Sequence, residues 1–199
     1  MSDTGVLSRR DLLRNIALAT VAGTFVPAMG QHVHQMAADE KAAKGTYAPK
    51  ALNDHEYRTL QRLADLIVPA EDGLPGALEA GAADWIDLMC SANEKLADIY
   101  TGGIAWLDRQ MRSRNGADFV GSAPEQQTAM LDLIAYRKND GPDLGAGIHF
   151  FDWARKMVVD AYYTTPAGVK SVGYLGNKGQ SRFFVPQECI DYVLKRSPV

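Results

Sequence analysis

Between Asn53 and Pro69 apolar residues recur every three or four positions, and this spacing most narrows the folds open to the chain. Tyr57, Leu60, Leu63, Ala64 and Ile67 fall on one face of a helix. Asn53, with Glu56 three residues later, has the pattern of a capping box, and Pro69 ends the helix. The same signals repeat down the chain. A second helix is predicted over residues 78–90, with Trp85, Leu88 and Met89 on its apolar face. A third, over 94–114, carries Ile99, Trp106, Leu107 and Met111 and stops near Asn115-Gly116. Ser122 and Glu125, with Pro124 in the first turn, open a fourth. A fifth spans 145–163 and stops at Pro166. Residues 165–184 are rich in glycine and read as an extended loop, and a short helix over 186–196 closes the chain. No run alternates for long enough to form a central strand. The expected fold is all-α: a single domain of five to six helices over residues 52–199, with a long Gly-rich C-terminal loop. Residues 31–51, rich in Ala, Lys and Gln, read as a polar linker.

The N-terminus has a separate character. Ser8-Arg9-Arg10-Asp11-Leu12-Leu13-Arg14 precedes a stretch, 15–38, without Asp, Glu, Lys or Arg. Its most apolar part, 16–29, is interrupted by Thr20, Gly23, Thr24 and Pro27. A bilayer span needs about 20 apolar residues, so this is the layout of a signal peptide. The pair Arg9 and Arg10 makes it a twin-arginine signal, which implies delivery of folded protein to the periplasm by the Tat translocase. Residues 1–30 are therefore expected to be the signal. Ala28-Met29-Gly30 places small residues for cleavage before Gln31, and an uncleaved anchor is the alternative.

The remaining composition excludes several chemistries. The formal net charge is −3 and no basic stripe occurs, which argues against nucleic acid as a partner. Cys90 and Cys189 are too few for an iron–sulfur cluster or a zinc-binding cysteine set. They read either as free buried thiols or, in an exported chain, as a disulfide. No Gly-x-Gly-x-x-Gly follows a strand, and Gly173, Gly176 and Gly179 include no Walker lysine-serine pair. His32 and His34 stand at alternate positions without supporting ligands, so no metal site is expected there. Glu71 and Asp72 read as a solvated loop. His149, beside Phe150 and Phe151, reads as a core or interface histidine rather than a general base. Phe150, Trp153, Tyr162 and Tyr163 do not share one helix face, and the surplus could bury itself in a partner.

The middle of the chain resembles a known family. Leu66-Ile67-Val68-Pro69-Ala70-Glu71-Asp72, Pro75-Gly76-Ala77, Glu79-Ala80-Gly81 and Asp84-Trp85-Ile86-Asp87 follow in order. Trp106-Leu107-Asp108, Pro124-Glu125-Gln126-Gln127, Phe150-Phe151, Pro166-Ala167-Gly168 and Gly173-Tyr174-Leu175-Gly176 continue the set. Together they resemble the gluconate 2-dehydrogenase subunit 3 family over roughly residues 53–180. The resemblance implies a small subunit without catalytic residues or a cofactor of its own. Its partner would be a large flavoprotein of the glucose-methanol-choline oxidoreductase type, carrying FAD and oxidising a sugar, glycoside or sugar acid. A cytochrome c with its haem would take the electrons onward, and the complex would associate with the cytoplasmic membrane. The small subunit would escort the flavoprotein through Tat and stabilise it. His149, Trp153, Tyr162 and Tyr174 are the candidate partner contacts, and Cys90 and Cys189 could bond to each other or to the partner. The stretch 167–172 lacks the Gly-Gly-Asn run and the Trp common in the family. The alternative reading is a periplasmic helical binding module with no redox partner. A stand-alone enzyme would need convergent polar groups that the sequence does not supply.

Overall fold

A computed structural model of the chain describes residues 26–71, 73–174 and 184–196. The expected signal, with Arg9 and Arg10, lies outside the described residues up to residue 25. Among the described residues there are eight α-helices and one 3₁₀ turn, and no strand. The helices are α1 (Val26–Lys44), α2 (Asp54–Ile67), α3 (Ala82–Ala92), α4 (Glu94–Asn115), α5 (Pro124–Ile134), α6 (Gly145–Tyr163), α7 (Pro166–Ser171) and α8 (Gln187–Arg196).

Local chemistry sets most of their ends. Asn53 Oδ1 accepts the amides of His55 and Glu56, and Glu56 Oε2 accepts the Asn53 amide, closing the expected capping box on α2. Asn93 caps α4 through the Leu96 amide, and Gly116 ends it at φ +79°. At α5 the cap moves one residue along from the expected Ser122. Ala123 begins the helix, with its amide donating to Gln126 Oε1, while Ser122 donates to the Asp118 carbonyl. The second expected helix starts later than residue 78. Residues 77–81 form turns, and Gly81 enters α3 in the left-handed region.

α3 is the hub of the bundle. Ala82, Ala83, Trp85, Ile86, Leu88 and Cys90 are all buried, and α1, α2, α4 and α6 pack around them. A helix apolar on nearly every side can only be central. α4 and α6 cross closely behind it, where Tyr100 meets Phe150 edge-on at 6.0 Å. Two glycines permit that approach: a Cβ on Gly103 would overlap the Phe150 ring, and one on Gly147 the Trp106 ring.

Two expectations are corrected. The segment read as a polar linker is helical as far as Lys44, and α1 packs on α3 through Val33 and Ala37. Its buried stripe is narrow and made of small residues, so the sequence lacks a strong apolar periodicity. The Gly-rich stretch is not wholly extended. Thr165 caps α7 by accepting the Gly168 amide at 3.1 Å, with Pro166 in the first turn. The rest of that stretch, 175–183, lies outside the described residues. The two added helices carry the count past five or six. Cleavage before Gln31 would remove Val26–Gly30 from α1.

Candidate functional site

Three buried aspartates organise the domain, and each is committed to holding a segment in place. Asp84 and Asp87 stand three residues apart on α3, so they share one face. Asp87 accepts four donors. The Tyr47 hydroxyl and the Lys50 amide each lie 2.7 Å from Oδ2, and the amides of Ala51 and Leu52 lie 3.1 and 2.9 Å from Oδ1. This carboxylate thereby folds the whole α1–α2 connection onto the bundle. Asp84 accepts the Tyr57 hydroxyl from α2 and pairs with Lys41 Nζ of α1 at 2.5 Å. Burial first, and the aspartate partners next, push the phenols of Tyr47 and Tyr57 far above the ordinary tyrosine range. Both therefore remain protonated donors. Asp108 on α4 accepts the Phe119 amide at 3.0 Å and contacts His55 Nε2 at 2.5 Å. Buried carboxylates are tolerated only with such full sets of donors.

A cleft of about 670 Å³ opens beside Asp84. Gln31, His34, Ala38 and Lys41 of α1 form one wall, Pro75, Glu79, Ala80 and Gly81 a second, and Thr164 to Ala167 the third. His34 is half-buried against Trp85, with ring centroids 6.1 Å apart. Its Nε2 lies 2.8 Å from the Ala161 carbonyl and 3.1 Å from Thr164 Oγ1. Burial holds the imidazole below its usual range, opposed by the Ala161 contact and the Asp84 charge. The cleft joins segments far apart in sequence. Pro75-Gly76-Ala77, Glu79-Ala80-Gly81 and Pro166-Ala167-Gly168, read separately along the chain, meet here. Tyr162 ties them, donating its hydroxyl to the Pro75 carbonyl at 3.0 Å.

The structure distributes the candidate contact residues unevenly. Trp153 is 38% exposed on α6, Tyr174 is 53% exposed just past α7, and His149 is exposed on α6 rather than in the core. Tyr162 is corrected: at 4% exposure, with its hydroxyl bound to Pro75, it is an internal tether and offers a partner nothing. Cys90 and Cys189 are both free in this structure, Cys90 buried on α3 and Cys189 exposed on α8. The reading of both thiols as buried therefore fails for Cys189. Burial, with Asp87 nearby, pushes the Cys90 thiol up to about 12. Glu71 is exposed, as expected of a solvated loop, and Asp72 lies outside the described residues. His32 and His34 project from nearly opposite sides of α1 and cannot share a metal. Among the described residues no group of three metal-ligating side chains converges, and no helix is long and apolar enough to cross a membrane.

Sequence reasoning did not assign roles to Asp84, Asp87 and Asp108. A readable signal existed: two carboxylates spaced i, i+3 inside an otherwise apolar helix must face a donor set.

Residues 54–179 match the family described as gluconate 2-dehydrogenase subunit 3. The chain belongs to that family. The matched span covers well over half of the 199 residues, from the first residue of α2 to beyond α7. It contains all three aspartates, two walls of the cleft and the α4–α6 crossing, and it leaves out α1 and α8. No curated protein and no solved structure matches the chain. Family membership makes it a subunit of a dehydrogenase complex.

Proposed function

We propose that this chain is the non-catalytic small subunit that binds, stabilises and escorts through Tat a large FAD-dependent dehydrogenase of the glucose-methanol-choline type. The complex oxidises a sugar, glycoside or sugar acid in the periplasm, at the cytoplasmic membrane, and passes electrons to a cytochrome c. The observation that carries the reading is the family match over residues 54–179. The commitment of Asp87 and Asp108, which lie outside the cleft lining, to backbone amides, Tyr47 and His55 supports a scaffolding role, because a general acid or base needs a face open to substrate. FAD and haem c belong to the partners in this reading, and this chain contributes surface and stability. The pair Arg9-Arg10 supports Tat export.

The test is affinity purification of the tagged full-length chain from periplasm and membrane, with an absorption spectrum and mass identification. A flavoprotein that co-purifies with FAD absorption, and is lost from cells lacking this chain, is the expected result. A colourless chain without a dehydrogenase partner overturns it. Replacing Arg9 and Arg10 with Lys should leave both subunits in the cytoplasm. A partner still exported normally refutes the escort role.

A further inference from the structure

All ten residues of α8 are exposed, although its sequence is strongly amphipathic. Cys189, Ile190, Val193 and Leu194 share one arc of the helix, with Ile190 37%, Val193 61% and Leu194 68% exposed. Glu188, Asp191 and Lys195 occupy the opposite arc, and Arg196 stacks at 3.8 Å over the Tyr192 ring at the edge. No described residue covers the apolar arc. A 10-residue helix is too short to persist in water on propensity alone, so its packing must come from another surface.

Resting on the subunit reading above, we infer that α8 docks as a helix into an apolar groove of the partner dehydrogenase subunit, forming part of the assembly interface. Area argues against a dimer of this chain held by α8 alone. Four side chains of this size cover on the order of 300–400 Å², well short of the ~800 Å² per partner that a stable interface needs. A short helix of this kind adds to an interface made elsewhere by a larger partner, where tethering raises its effective concentration. Charge argues against a membrane surface. α8 balances Glu188 and Asp191 against Lys195 and Arg196, whereas interfacial helices are rich in Lys and Arg. α8 also lies beyond residue 179, where the family match ends, so it can select one partner without altering the shared domain.

The experiment titrates the purified full-length chain against the dehydrogenase subunit that co-purifies with it, comparing wild type with a Val193→Asp, Leu194→Asp double variant. The expected result is affinity weakened about tenfold or more, with the melting temperature of the isolated variant unchanged. Equal affinity overturns the inference while leaving the subunit reading intact. A lower melting temperature of the isolated variant would place α8 on its own domain. A wild-type dimer made monomeric by the substitutions would place α8 on a second copy, and either result overturns the inference. A wild-type chain that assembles with no dehydrogenase subunit defeats the subunit reading and the inference together.

Discussion

Gly147 on α6 rests against the six-membered ring of Trp106 on α4, leaving no room for a side chain. Gly147→Ala must therefore push the two helices apart or displace a buried indole. Overpacking of this kind costs about 1–3 kcal/mol. Urea unfolding of Gly147→Ala should show that loss, and Trp106→Phe in the same background should recover part of it. A double-mutant cycle with no coupling between 147 and 106 would contradict the close crossing.

Asp87→Ala strands three backbone amides and the Tyr47 hydroxyl without an acceptor. Unsatisfied buried donors cost about 1–3 kcal/mol each, so a loss of at least ~3 kcal/mol is expected. Asp87→Asn keeps one carbonyl acceptor and should lose less. Tyr47→Phe removes a single hydrogen bond and should cost only about 1 kcal/mol. Thermal unfolding ranks the three variants, and a harmless Asp87→Ala would contradict the anchoring role.

His34 links stability to pH. Its folded-state pKa lies below the ordinary value of 6.5, chiefly because of burial, so the folded chain holds the neutral ring while the unfolded chain protonates first on acidification. The docking of α1 is fully stabilised above pH 6.5 and weakens as pH falls through that value. The cleft's other charged side chains are Lys41, on the same wall of α1, and Asp84 and Glu79 from the rest of the lining. Between about pH 7.5 and 5.5 the wild type should lose more stability than His34→Gln, which keeps a donor for the Ala161 carbonyl. Equal losses in the two proteins would remove His34 as the titrating group.

The two cysteines should separate by reactivity. Thiolate is the nucleophile, and the Cys90 thiol, buried and raised to about 12, is protected in both respects. A thiol reagent at pH 8 should label Cys189 alone in the native protein, and both cysteines in denaturant. No labelling in either state would mean a Cys90–Cys189 bridge, which would require rearrangement of α8 relative to α3.

The sequence by itself determined the helical class, most helix ends and the family. α2 announced itself through the Asn53–Glu56 box, and α6 was bounded as expected at 145–163. These features are local, written in periodicity, caps and prolines within a few residues of where they act. The family signal likewise rests on ordered short motifs, and the match over 54–179 bears it out. What only the tertiary structure decided depends on residues distant in sequence. α1 was missed because its buried stripe is small and its inward histidine bonds to a carbonyl 127 residues away. Tyr162 looked like surplus aromatic surface until the loop at Pro75 folded over it. Asp84 and Asp87 gained a meaning only when Tyr47, Tyr57 and Lys41 arrived from other segments, because a buried charge is defined by its partners and not by its neighbours in the chain.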